Sequence, residues 1–194
     1  MGRHREFDLD QALDGALDVF WRKGYEGTSL SDLTEAMGIT RPSLYAAFGN
    51  KEELFRKALD RYDDTCMAFT REAMKKPTSR DVVSHLLYGF ADAQTDPDRP
   101  AGCLDTNGAL ACSDEAEPIR QELVGRRAAS EAVLCRRLEE ARAEGDLPAD
   151  CDPAALARYV MTVAHGMGIQ ASSGASRKAL YGVVAMTLKG WPSA

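Results

Sequence analysis

An all-α fold follows from three observations. Apolar residues recur at intervals of three and four along almost the whole chain, as in Leu9, Leu13, Ala16, Leu17 and Phe20, and this is the helical period. The segments so marked open on capping residues and close on Gly or Pro. No run alternates apolar and polar residues as a half-buried strand does. About nine helices are expected, without internal repeats or low-complexity tracts.

The first helix spans Asp8 to Lys23. Asp8 with Gln11 has the form of a capping box, and Arg22 and Lys23 before Gly24 suit a helix C-terminus. Tyr25-Glu26-Gly27 turns the chain, and Thr28 or Ser29 caps a second helix with Leu30, Leu33 and Met37 inward. The run from Gly38 to Lys51 then reads as turn, very short helix and new helix start. Gly38 supplies a left-handed residue, Ile39 wedges the helices apart, Thr40 caps and Pro42 falls in the first turn. Gly49 stops this helix, and Asn50 with Glu53 forms the next capping box.

On that short helix Leu44, Ala47 and Phe48 share one side, while Arg41, Ser43, Tyr45 and Thr40 project the other way. Guanidinium, hydroxyl and phenol groups at a helix N-terminus offer donors to phosphate oxygens and base edges in a major groove. An ordinary helix pair in an all-helical core would share the same turn.

The fourth helix runs from Lys51 to about Met74 with Leu54, Phe55, Ala58, Leu59, Tyr62 and Phe69 along it, and Lys76-Pro77 interrupts it. The next, from Ser79 or Arg80 to about Gln94, buries Val82, Val83, Leu86, Leu87 and Phe90 before the loop of residues 95–102. Gly102-Cys103-Leu104 opens a short helix through Asn107, Leu110 and Cys112. Ser113 or Asp114 starts a long helix ending near Glu144-Gly145, with Ile119, Leu123, Val133, Leu134 and Leu138 on its buried side. Asp152-Pro153 opens another, carrying Leu156, Tyr159, Val160, Val163 and Met167 to Gly174. The last, roughly Ser176 to Gly190, sets Leu180, Val183, Val184, Thr187 and Leu188 along a stripe.

Phe20 to Leu30, Asp32 to Ile39 and Ser43 to Leu54 resemble, in order and spacing, the DNA-binding domain of TetR/AcrR-family regulators. The resemblance implies a helix-turn-helix domain over residues 1–50 and a helical effector-binding and dimerisation domain over 51–194. It implies that Thr28 is a phosphate-contacting cap, that Arg41, Pro42, Ser43 and Tyr45 lie on the reading helix with Thr40 at its start, and that Lys51 touches backbone phosphate. Arg3 and Arg5 resemble the family's basic arm. The partners implied are a double-stranded, palindromic DNA operator, a second copy of the chain and a small effector that releases a repressor from its operator. Small residues in the last two helices, among them Ala164, Gly166, Gly168, Ala171, Gly182 and Ala185, allow the close approach of a four-helix dimer interface. The effector pocket is expected between the middle helices, with Phe69, Leu86, Phe90, Leu104, Asn107, Leu110, Met161 and His165 as its candidate lining.

Composition sets bounds on this reading. A net charge of −6 over 194 residues is acidic, so DNA binding must rest on locally placed cations and helix N-termini. No apolar run is of membrane-spanning length and no hydrophobic signal core is seen, so a cytoplasmic protein without membrane contact is expected. Five cysteines without CxxC spacing argue against a disulfide scaffold or a metal site. Cys103 and Cys112, flanking the short helix, suggest a thiol-based redox switch as an alternative trigger. A helical enzyme is the reading from another class, and a helical adaptor that binds no DNA is a third. His4, His85 and His165 are the only histidines, and no HExxH, GxSxG or phosphate-cradling loop accompanies them. No catalytic residue and no cofactor is therefore expected.

Overall fold

The computed structural model of the chain describes residues 7–109 and 113–192; Arg3, Arg5, Leu110 and Cys112 lie outside them. Among the described residues there are ten α-helices and no strand: α1 Leu9–Lys23, α2 Leu30–Met37, α3 Arg41–Phe48, α4 Lys51–Thr65, α5 Phe69–Ala73, α6 Ser79–Gln94, α7 Leu104–Asn107, α8 Glu117–Ala143, α9 Pro153–Ser172 and α10 Arg177–Lys189. A 3-10 turn, Asp114–Ala116, leads into α8.

The helix starts follow the capping chemistry. Asp8 accepts from the backbone N–H groups of Asp10 and Gln11, Thr40 from Ser43, Asp152 from Ala154 and Ser176 from Ala179. Reciprocal boxes close at Ser29 with Asp32 and at Asn50 with Glu53. Each satisfies donors that the first helical turn leaves unpaired.

The tenth helix arises because the segment expected to run unbroken from Lys51 to Met74 divides at residues 66–68. None of Cys66, Met67 and Ala68 is a breaker. The amide N–H groups of Cys66 and Met67 both converge on the Tyr62 carbonyl, and the Thr65 hydroxyl donates to Arg61 O at 2.7 Å. The turn sets Met67 into the core at 6% exposure, so packing overrides local propensity here. The helix expected to reach Cys112 is also shorter: α7 ends at Asn107, where the Gly108 N–H bonds Leu104 O. Val133, expected on the buried side of its helix, is exposed, and so are Tyr159 and Val183 among the apolar residues of α9 and α10.

In the body α9 packs on both α6 and α8, while α10 and α5 lie against α6. In the N-terminal unit α1 packs across α2 and α4. Phe20 meets Phe55 edge to face at 4.9 Å and Trp21 meets Tyr62 at 4.8 Å. One apolar cluster runs from Ala12 to Trp191, so α4 is common property of the two units. Ion pairs reinforce its position. Arg61 reaches Asp14 on α1 at 2.8 Å, and Arg126 of α8 holds Asp60 and Asp63 of α4 at 2.6 and 2.8 Å.

Candidate nucleic-acid interface and effector cavity

Gly38 ends α2 with φ 65° and ψ 28°. A Cβ there would meet nothing within 4 Å, so the backbone conformation, not space, favours glycine. Its N–H and that of Ile39 return to Thr34 O, which sets the chain into α3. Leu44 and Phe48 are buried and hold α3 against the unit. The outer face carries Arg41, Pro42 and Tyr45, with Thr40 exposed at the cap and Ser43 half-buried. Tyr45 is 49% exposed. Arg41 is steadied by a 2.9 Å hydrogen bond to Ser31 Oγ of α2, which limits the rotamer entropy it would lose on binding a partner.

Thr28 occupies a different environment from the one implied for it. It is 1% exposed, and its hydroxyl donates to Gly24 O at 2.6 Å. The cap is the exposed neighbour Ser29, whose Oγ lies 3.1 Å from the Asp32 N–H. Two adjacent hydroxyl residues left the choice open in sequence, and burial of the Thr28 methyl decides it. Lys23 bonds Asp32 at 2.6 Å and, with Ser29, holds that carboxyl well below the usual range.

Lys51, at the start of α4, sets its ammonium 4.4 Å from the Tyr25 ring centroid, a cation–π arrangement. Burial lowers its pKa, opposed by Glu26. Tyr25 belongs to a turn that touches the segment after α7. Its N–H donates to Gly108 O at 2.8 Å, and both Oγ and N–H of Ser113 donate to the Glu26 carboxylate at 2.5 and 3.0 Å. At Gly24, where φ is 69°, a Cβ would come within 3.2 Å of Gly108 O. Close approach and positive φ both disfavour a side chain there.

A cavity of about 620 Å³ lies between α4, the 67–75 segment, α6, α7, α8 and α9, within the size range of small-molecule sites. Leu86, Phe90, Met161 and His165 line it, as do Met67, Met74, Val133 and Leu134. Three other residues expected there lie elsewhere. Phe69 packs edge to face on Phe90 at 5.2 Å and over Gly89, bordering a second, more open and polar groove between α5, α6 and Arg177. Leu104 is fully buried, and Asn107 donates to Ser172 Oγ at 2.7 Å, tying α7 to α9. The phase of a four-residue helix cannot be read from periodicity.

Sequence reasoning missed the polar side of the cavity, where Asp63, Asp105, Arg126 and Arg127 meet. Arg126 is enclosed by Asp60, Asp63 and Glu122. Although burial favours its neutral form, these hydrogen bonds raise its pKa further. Arg127 donates to the Asp105 backbone carbonyl. His165 has its pKa lowered by burial and by Arg127.

Asp105 is the outlier. Its Oδ1 is shielded from solvent without a hydrogen-bond donor among the described residues. Burial, then Asp63, push its pKa to about 6 against the pull of Arg126 and Arg127. An acid whose folded pKa is raised costs stability above that pKa, and the cost is relieved as pH falls towards the unfolded value. Asp105→Asn is therefore expected to stabilise the protein by about 1–2 kcal/mol at pH 7.5, with the gain vanishing near pH 4. Urea melts of both proteins across that range check this; a gain that does not shrink on acidification would contradict it.

Cys103 is 3% exposed and accepts from the Tyr62 hydroxyl at 3.4 Å. Burial, with Asp105, pushes its thiol up, the reverse of what a reactive thiolate requires. Among the described residues no group of three or more His, Cys, Asp or Glu side chains is placed to hold a metal ion, and no helix is long and apolar enough to cross a membrane.

Comparison with known proteins agrees with this geometry. Residues 12–58 match the family model of bacterial regulatory proteins, tetR family, and residues 80–185 match the tetracyclin repressor-like C-terminal domain. The HTH-type transcriptional repressor ComR of Escherichia coli (strain K12) is 41% identical over 194 residues, covering 98% of this chain and 92% of that protein. The HTH-type transcriptional repressor AcnR of Corynebacterium efficiens is 31% identical, covering 88% and 85%. Among solved structures, a cysteine mutant of the TetR family transcriptional regulator CifR, complexed with 26 bp double-strand operator DNA, is 42% identical. It superposes with a TM-score of 0.94, covering 98% of this chain and all of that one. The two matched segments and the full-length relatives place the described helix-turn-helix and its helical body in one lineage: the chain belongs to the TetR family of transcriptional regulators.

Proposed function

We propose that this chain is a cytoplasmic homodimeric repressor that reads a palindromic operator with α3 and is released by a small effector held in the cavity between α4 and α9. The observation that carries the reading is the division of α3. Leu44 and Phe48 fix it to the domain while Arg41 and Tyr45 remain open on the other side, with Ser43 half-buried beside them. The CifR relative, complexed with operator DNA, supports a duplex partner, and the names of ComR and AcnR support repression.

Dimerisation draws support from α9 and α10. Tyr159 and Ile169 on α9, and Val183 and Met186 on α10, are exposed large apolar side chains. A Cβ at Gly166 or Gly182 would meet nothing within 4 Å, leaving room for another helix to approach. A two-fold axis through these helices presents two copies of α3 to one duplex.

The effector acts, in this reading, through α7. That helix forms part of the cavity wall at its start and meets the Tyr25 turn just after its end, and Tyr25 in turn underlies Lys51. A ligand that fits only one position of α7 shifts the reader by its difference in affinity for the two states. We divide the chain functionally near residue 50, with α4 as the shared lever.

Selection of bound fragments from random duplex DNA by the full-length protein tests the proposal. The expected product is an inverted repeat with half-site centres roughly 34 to 36 Å apart or a whole-turn multiple. Enrichment of no sequence, or of single asymmetric sites, would remove the palindromic operator from the reading.

A further inference from the structure

The cavity has an unequal wall. Leu86, Phe90, Leu134 and Met161 make one side apolar, while Asp105 contributes a carboxylate on the other. The cations on the wall already have partners: Arg126 in its three acids, Arg71 with Asp64, Lys75 with Glu72, and Arg127 on the Asp105 backbone. Asp105 Oδ1 has none among the described residues. It is also the only cavity residue among the described side chains with a buried, unpartnered polar atom. Leaving such an acceptor unmet is costly, and a molecule that supplies a donor recovers part of that cost if the carboxyl swings out of its shielded position to meet it. The carboxyl torsion is soft, so either oxygen can turn towards a guest.

We propose that the cavity takes a largely apolar molecule carrying one hydrogen-bond donor, a hydroxyl or an amine, and that Asp105 receives the donor. The inference deepens the effector reading above and rests on it only for the consequence of binding, not for the ligand chemistry. A guest that presents an ether oxygen or a carboxylate would set one acceptor against another. The raised pKa of Asp105 agrees with an acid that lacks a donor, and a bound ammonium would bring it down.

Four probes with one apolar body separate the cases: para-octylphenol, para-octylbenzylamine, para-octylanisole and para-octylbenzoate, each titrated calorimetrically into the full-length protein. The phenol and the amine are expected to bind at least about ten-fold more tightly than the anisole, with the benzoate weakest. Asp105→Leu should abolish the preference. Asp105→Asn, which keeps an acceptor oxygen without the charge, should retain the preference for the phenol and lose that for the amine; thermal melts establish that both variants fold. An anisole that binds as tightly as the phenol, a benzoate that binds tightest, or a failure of all four to bind would overturn the proposal. Release of operator DNA, followed in parallel, keeps the two readings distinct. Donor probes that bind without releasing DNA leave the ligand class standing and remove the effector role, while release without donor preference does the reverse.

Discussion

Replacing Met186 with aspartate is expected to give a folded monomer and to lower operator affinity by at least about 100-fold, the gain that bivalent engagement commonly provides. Met186 is 70% exposed on α10, the most open of the large apolar side chains among the described residues. Its helix turns Leu180, Val184 and Leu188 inward, so the fold is secured by the opposite face. In a two-fold interface every contact occurs twice, and an aspartate there would bring two carboxylates out of water with no counter-charge. Each protomer would keep its reader, but the two readers would no longer be tethered. Sedimentation at micromolar protein, far-UV circular dichroism and anisotropy titration of a full operator against a single half-site measure the three consequences. A variant that remains dimeric and binds normally would move the interface away from α10.

What could be read from the sequence follows the range of the interactions involved. The first three helices and the start of the fourth rest on contacts within a few residues: Asp8 on Asp10 and Gln11, Ser29 with Asp32, Gly38 in its left-handed turn, Asn50 with Glu53. Each has its own signature, and Arg41, Ser43 and Tyr45 are placed outward by spacing alone. The cavity rests on contacts between distant segments. The break after α4 has no Gly or Pro to announce it and comes from a redirected backbone and the burial of Met67. The four residues of α7 are too few to establish a phase, so spacing does not distinguish Leu104 and Asn107 from their neighbours Cys103 and Asp105, which line the cavity. Arg126 and Arg127 stand in a helix rich in charged residues, where only the fold distinguishes a wall residue from a solvated one. The exposure of Val133, Tyr159 and Val183 has a simpler cause. Periodicity records where apolar residues lie on a helix, but it does not say whether they face the chain's own core, a cavity or a second copy.

Substituting alanine for Arg41 or Tyr45 is expected to weaken operator binding by about 1–3 kcal/mol each while leaving thermal stability unchanged. The two parts of this expectation come from the same helix. Leu44 is fully buried and Phe48 is 4% exposed, so the packing that holds α3 is untouched by changes at positions 41 and 45. Tyr45 makes an exposed aromatic platform with a phenol at its tip, and Arg41 a planar fork of donors already aligned by Ser31. The two contacts should also respond differently to salt. A guanidinium on phosphate displaces a counterion, so Arg41→Ala should reduce the slope of log affinity against log salt by about one per reader, whereas Tyr45→Ala should leave the slope as it was. If Arg41 instead reads a guanine edge, the slope will hold and discrimination at one operator base will relax by about 1–3 kcal/mol. Tyr45→Phe divides the remaining term, since it keeps the ring and removes only the hydroxyl. Anisotropy titrations of the variants at three salt concentrations on the selected operator make these distinctions. Normal binding by both Arg41→Ala and Tyr45→Ala would mean that the outer face of α3 is not the surface that meets DNA.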